Sequence, residues 1–260
     1  MNKISQQSFF FKNGYSYYKK IINKKKIDIF YKSFIDSLSK DNKNYEYLSK
    51  SSFESLSLSK EIQFLKKINS NLITFIYKNI IHYSSFINLF EDYKIRKEAA
   101  CLLKTLPENL IIAEHQFRID YPNDKRHILQ WHQDANFYPQ DPDGKNSLVC
   151  NISLHNIKKN MGSTILLPGS QNLGLLKFKK KQGNKKYSGQ RTTADCDLSN
   201  FKEIALNTYS GDVSFYDTRL IHKSGFNSTN KVRFSAIARI FNPMDKNYKS
   251  FEKISKKFIL

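Results

Sequence analysis

The chain has 260 residues, 40% of them apolar, and a formal net charge of +20. That supports one large domain, or one domain with an attached helical region. The lysines are scattered in ones to threes among abundant Asn, Ile, Tyr and Ser, so the charge reads as solvated surface rather than as a nucleic-acid or anionic-lipid footprint. Cys101, Cys150 and Cys196 lie far apart and form no CxxC pair, which argues against a disulfide framework or structural zinc and fits a reducing compartment.

The first twenty residues are polar and aromatic and lack the apolar stretch of a secretory signal. Residues 1–108 form an α-rich region. Ile62, Leu65, Ile68, Leu72 and Phe75–Ile76 recur at helical spacing and share one predicted face. Ser51 and Glu54 have the spacing of a capping box. Residues 71–90 are the most apolar window, but Lys78, His82, Ser84 and Ser85 interrupt it. It predicts a buried amphipathic helix, not a bilayer span, and the protein is expected to be soluble and cytoplasmic. A further helix over 94–106 is stopped by Pro107.

From residue 109 the texture changes. Short β-type runs alternate with turn residues, and eight of the nine glycines lie between 144 and 225. Residues 109–243 predict an antiparallel sandwich or barrel, and residues 244–260 a basic amphipathic helix. The three segments are expected to form one integrated domain.

Within the β-region stands Trp131-His132-Gln133-Asp134. Alone, a His and an Asp two apart suit either a metal or a polar loop. His222 changes this. It is expected at the end of a strand begun at Gly211-Asp212, and with His132 and Asp134 it completes the two-His, one-carboxylate set that binds Fe(II) and leaves positions open. Arg233 follows eleven residues later, on a strand expected to return beside His222. An Arg grips a carboxylate with parallel hydrogen bonds, as the far end of a dicarboxylate cosubstrate such as 2-oxoglutarate requires. Ser224 is placed to help it. Val232, Phe234, Ala236, Ala238 and Ile240 make one face of that strand; Arg233, Ser235, Ile237 and Arg239 make the other. Arg239 suits either an anionic substrate or the barrel mouth. Asn151 and Ser153 share a strand face, read either as a 2-oxoglutarate contact or as ordinary polarity. His115 and His155 read as core or surface residues, and Trp131 as packing around the site. The basic run 177–187 reads as a solvated loop, with attraction of an acidic substrate as the other option.

His132-x-Asp134, Gly162 through Pro168-Gly169-Ser170, Gly211-Asp212, His222-x-Ser224 and Arg233 occur in this order. The pattern resembles the phytanoyl-CoA dioxygenase family of Fe(II)/2-oxoglutarate-dependent oxygenases, over roughly 109–243. The resemblance implies a mostly β, double-stranded β-helix (jelly-roll, cupin-like) core with flanking helices. It implies iron on His132, Asp134 and His222, 2-oxoglutarate on Arg233 and Ser224, ascorbate as a supporting reductant, and hydroxylation of an unactivated C–H of a small-molecule or lipid-like metabolite. The family's usual His after Pro-Gly-Ser is Gln171 here, which puts the nearby loop and substrate choice in doubt. Related halogenases replace the carboxylate ligand with a small residue; Asp134 is present, so the resemblance favours hydroxylation or a related oxidation. Two alternatives stay open: a nucleic-acid demethylase of the DNA-repair alkyl-group type, and a non-catalytic cupin-like binding protein. Oligomeric state is not readable.

Overall fold

The computed structural model describes residues 3–41, 44–125, 128–180, 191–193 and 197–250. Its helices are α1 (Lys3–Asn13), α2 (Lys24–Leu38), α3 (Glu46–Ser49), α4 (Leu56–Ile68), α5 (Ser70–Asn79), α6 (Ser84–Phe90) and α7 (Tyr93–Leu103). Side-chain caps set several starts. Asn23, Ser55, Asn69 and Asp92 each accept a hydrogen bond from an N–H of the first turn. The capping box predicted at Ser51 and Glu54 does not form. Ser55 is the cap, and Glu54 accepts instead from Asn156 N. The face predicted across 62–76 is also broken. Asn69 N donates to Leu65 O to end α4, while its side chain accepts from Leu72 N to start α5. The break turns Ile68 to solvent at 52% exposure. Helix α7 ends ahead of Pro107, at Lys104 in the left-handed conformation.

The strands are β1 (Tyr15–Tyr18), β2 (Ile111–Asp120), β3 (Ser147–Ser153), β4 (Ile165–Leu166), β5 (Phe178–Lys180), β6 (Arg191–Thr193), β7 (Ile204–Ala205), β8 (Val213–Asp217), β9 (His222–Lys223) and β10 (Arg233–Phe241). A larger antiparallel sheet has the order β1-β8-β3-β10-β2, a smaller one β7-β4-β9, and β5 pairs with β6 as a hairpin.

Alternation sorts the larger sheet into two faces. Phe117, Cys150, Ile152, Phe215, Phe234, Ala236 and Ile240 belong to one buried cluster with Phe30, Phe34, Phe53 and Phe86 of the helical region. The opposite face carries Val149, Asn151, Tyr216, Arg233, Ile237 and Arg239. There Val149 and Tyr216 pack with Leu166 of the smaller sheet, which closes the sandwich. This is the double-stranded β-helix arrangement that the resemblance implies.

Three expectations are corrected. The N-terminal α-rich region contributes β1 to the edge of the larger sheet. The strand from Gly211-Asp212 stops at Asp217, where Leu220 N donates to Asp217 O in a turn that carries the chain to the other sheet. His222 therefore lies in β9, and β10 returns between β2 and β3 rather than beside it. Residues 244–250 make turns rather than the start of a helix; the rest of that predicted helix, 251–260, lies outside the described residues, as does 181–187 of the basic run.

Candidate metal centre

His132 and His222 are brought together by backbone pairing. Each one's N–H donates to the other's carbonyl at 3.0 Å, so their rings stand side by side with centroids 4.2 Å apart. Each ring is then oriented by its own neighbour. His132 Nδ1 lies 2.7 Å from Gln130 O, and His222 Nδ1 lies 2.9 Å from Leu220 O. A carbonyl only accepts, so Nδ1 carries the proton and Nε2 keeps its lone pair. Asp134 opens a short 3-10 turn, Asp134–Phe137, rather than continuing a strand as the two-residue spacing suggests. That turn aims Oδ1 at both rings, 3.3 Å from His132 Nε2 and 3.6 Å from His222 Nε2.

All three residues are buried, and their ligand atoms lie within 4.8 Å of one another. Metal bonds of about 2.1 Å at right angles separate ligand atoms by about 3 Å. The donor set therefore fits a divalent cation with little movement. The charge states agree. Burial pulls His222 down to about 4, helped by His132, so it is neutral at physiological pH. Burial alone would raise the Asp134 carboxyl, but the Arg239 guanidinium beside it overcomes this and holds it well below the usual carboxylate range.

The loop between His132 and Asp134 is fastened from behind. Gln133 is fully buried; its amide donates to Gly174 O and Arg219 O at 2.8 and 2.7 Å and accepts from Leu176 N at 2.8 Å. Ser224, expected beside Arg233, is engaged here instead: its Oγ accepts from Leu129 N. Trp131 lies under Lys223 Nζ at 4.0 Å and accepts from Thr193 N, next to the β5–β6 hairpin.

Arg233 is buried further along the same sheet face. It donates to Gly162 O and pairs with Asp120 at 3.4 Å, and Asp120 also pairs with Arg118 at 2.7 Å. With Asn151, Tyr216, Ser163 and Thr164 it lines a small cavity. Two buried atoms on that lining, Asn151 Oδ1 and Ser163 Oγ, have no hydrogen-bond partner, so the lining has polar capacity to spare. Asn151 Nδ2 donates to Tyr216 OH, and burial raises that phenol, which keeps its proton. Ser153 is not free for a ligand in the same way: its hydroxyl donates to Thr208 Oγ1 at 2.6 Å. A larger groove of about 540 Å³ shares Ile157 and Thr208 with this cavity but carries none of the three candidate ligands. His155 and His115 are core residues: His155 Nε2 accepts from Phe234 N, and His115 packs on Phe86 and Phe90.

The spacing singles out His132, Asp134, His222, Arg233 and Asn151, and the fold gathers the first three at one point while Arg233 and Asn151 line one small cavity. Spacing did not reveal Gln133, Ser163, Tyr216 or the Arg118–Asp120 pair, although the alternation of Arg118 and Asp120 on β2 was visible. Arg239 was seen only as a mouth or substrate residue; it grips Asp134, with Nη2 2.7 Å and Nε 3.1 Å from Oδ2.

A family model described as phytanoyl-CoA dioxygenase (PhyH) matches residues 79–235. No curated protein gives a significant match. Among solved structures, the epimerase SnoN in complex with Fe3+, alpha ketoglutarate and nogalamycin RO is 15% identical at TM-score 0.60, covering 92% of this chain and 83% of that one. EctD from S. alaskensis with bound Fe is 15% identical at TM-score 0.59, covering 91% and 75%. EvdO2 from Micromonospora carbonacea var. aurantiaca complexed with 2-oxoglutarate is 14% identical at TM-score 0.58, covering 92% and 90%. At such identities these likenesses show the shared fold.

Proposed function

The chain belongs to the phytanoyl-CoA dioxygenase family and is a non-heme Fe(II)/2-oxoglutarate-dependent oxygenase, and we propose that it hydroxylates an unactivated C–H bond of a small, anionic metabolite. One observation carries the assignment of its centre: His132 Nε2, His222 Nε2 and Asp134 Oδ1 converge while both Nδ1 atoms are committed to carbonyls. Iron(II) held there supplies the redox chemistry by which O2, 2-oxoglutarate and a C–H bond give succinate, CO2 and a C–OH.

The protein's part is binding, orientation and exclusion of water. The two imidazoles and Asp134 Oδ1 hold the metal. Arg233 is placed to fix the far carboxylate of 2-oxoglutarate, with Ser163 Oγ as a second donor and Asn151 and Tyr216 lining its path. Val149, Leu166, Leu206 and Ile237 form an apolar wall beside them. Two features support an anionic group on the metabolite. Among the described residues, Arg118, Arg233 and Arg239 gather near the candidate centre, where Asp120 and Asp134 are the carboxylates that pair with them. A divalent cation and a doubly charged cosubstrate cancel, so one positive charge is left to be met. Two proteins of the same fold, SnoN and SnoK, are an epimerase and a carbocyclase. Hydroxylation is preferred here as the simplest outcome open to a complete carboxylate-bearing ligand set. Among the described residues no helix is long and apolar enough to cross a membrane. 2-Oxoglutarate is a central metabolite of the cytoplasm, which supports placing the enzyme there.

The test is anaerobic loading with Fe(II), then succinate formation from 2-oxoglutarate with ascorbate present. The parent protein should bind close to one iron and release succinate. The His132→Ala, His222→Ala double variant should lose the metal. Arg233→Met should keep it but raise the KM for 2-oxoglutarate at least tenfold. Parental iron content in the double variant would remove the assigned ligands. Salt-sensitive binding of single-stranded DNA coupled to succinate release would favour a nucleic-acid substrate instead.

A further inference from the structure

Asp134 has two oxygens, and the protein treats them differently. Oδ1 faces the two Nε2 atoms. Oδ2 takes two hydrogen bonds from one guanidinium, Arg239 Nη2 at 2.7 Å and Nε at 3.1 Å. Both residues are buried, at 3% and 6% exposure, so this pair is not a loose surface contact.

Arg239 is itself held on other sides. Nη1 donates to Glu114 O at 3.4 Å, and the guanidinium lies 4.8 Å from the centroid of the Tyr138 ring. Glu114 lies where the pairing of β10 with β2 slips: Ile237 faces Gln116, but Arg239 faces Ala113. Glu114 adopts a φ of +52°, which a residue other than glycine seldom adopts without a reason. A bulge re-aims what lies beside it. Here it turns a backbone carbonyl toward Arg239 at the point where Arg239 meets Asp134.

We propose that Arg239 is a positioning residue for the metal centre: it occupies Oδ2, so that Asp134 meets the metal through Oδ1 alone. This rests on the reading of His132, Asp134 and His222 as ligands. The consequence concerns vacancy. A carboxylate that chelates through both oxygens fills two positions on a six-coordinate cation, and with two imidazoles it leaves two. A single-oxygen carboxylate leaves three. A chelating 2-oxo acid would take two of these, and the third would be left for oxygen. A guanidinium on Oδ2 keeps that third position open without contacting the metal.

The experiment uses the full chain with Co(II) as a visible probe and Mn(II) for affinity, both without turnover. The parent, Arg239→Met and Arg239→Lys are compared. With Oδ2 released, Arg239→Met should bind Mn(II) within threefold of the parent. Its Co(II) absorption bands should change in intensity, and 2-oxoglutarate should add to the Co(II) form at least tenfold more weakly. Arg239→Lys keeps the charge but offers a single point donor, and should fall between the two. If Arg239→Met does not fold, judged by circular dichroism, Arg239→Lys carries the same readouts alone. A folded variant with the parent's Co(II) spectrum and 2-oxoglutarate affinity overturns the proposal. Failure of the parent itself to bind Mn(II) or Co(II) would instead bring down the ligand assignment, and the two failures are therefore distinct.

Discussion

His222 and His155 are both buried and both kept neutral, by different neighbours. Burial and His132 bring His222 to about 4; burial, Arg233 and Lys231 bring His155 to about 3. An unfolded chain protonates its histidines near pH 6.5. As pH falls below that value the unfolded state takes up protons that these two refuse, and metal-free stability should drop. Each contributes a slope of up to ~1.4 kcal/mol per pH unit between about 6.5 and its folded value. Asp134, held low in the folded state, adds a loss of the same sign in more acid solution, as pH falls through its usual range toward its folded value. Denaturant titrations of the metal-free protein at pH 7, 6 and 5 should show the decline, and His155→Gln should flatten it. Equal stability at pH 7 and 5 would contradict this account. At this scale the candidate ligands were legible because residue type and spacing alone define a His-x-Asp, a distal His and an Arg. The grip of Arg239 on Asp134 was not. Alternation puts Arg239 on the face of Arg233, but its meeting with Asp134 depends on the bulge at Glu114 and on the 3-10 turn that carries Asp134 away from a strand.

Helix α1 and strand β1 belong to the helical half of the chain yet are fastened to the barrel near the metal centre. Gln171 Nε2 donates to Phe11 O and Lys12 O at 3.1 and 3.2 Å, Gly169 N to Asn13 O at 3.0 Å, and Asp217 N to Gly14 O at 2.8 Å. The departure from the family's usual His after Pro-Gly-Ser thus has a local role: the amide of Gln171 satisfies carbonyls left open at the end of α1. Gly14 is the pivot, at a φ of +77°. A Cβ there would overlap Gln171 Oε1 and lie 2.8 Å from Leu220 Cδ1. Gly14→Ala should therefore cost about 2–4 kcal/mol, from the left-handed backbone and the overlap together. Gln171→Ala, which removes two hydrogen bonds and the side chain that carries them but leaves the Gly14 turn unstrained, should cost less, about 1–2 kcal/mol. Thermal unfolding of both variants checks the order; a reversed order would show that the turn, not the packing, is relaxed. Strand β1 escaped prediction because four residues, Tyr15–Tyr18, are too short to show a period. The edge of β8 imposes the extended form on them. The larger strands β3 and β10 were legible because one face is apolar throughout, and β2 because Phe117 and Ile119 alternate with Gln116, Arg118 and Asp120.

The helical half and the barrel share one interior. Phe34 of α2 packs on Phe117 of β2 and Phe234 of β10, with ring centroids 5.3 and 5.8 Å apart, and Phe30 meets Phe117 at 5.4 Å. Phe30, Phe34, Phe117 and Phe234 are fully buried in one continuous cluster that includes both halves. Neither half can bury its own face without the other. The boundary at residue 108 therefore marks a change of secondary structure, and we predict that it does not mark a unit of folding. Removing a ring at the junction should cost about 3–5 kcal/mol, the usual range for a large-to-small change in a core. It should also destabilise both halves together. In Phe34→Ala, helical ellipticity and the fluorescence of Trp131, which sits in the barrel, should be lost at one denaturant concentration, lower than in the parent. Two separated transitions, with the barrel signal unmoved, would show that the helices fold as an independent layer. In that case residues 109–250 expressed alone should still bind metal. If the interior is shared, that fragment exposes Phe117, Ile119 and Phe234 at once, and it should aggregate rather than bind.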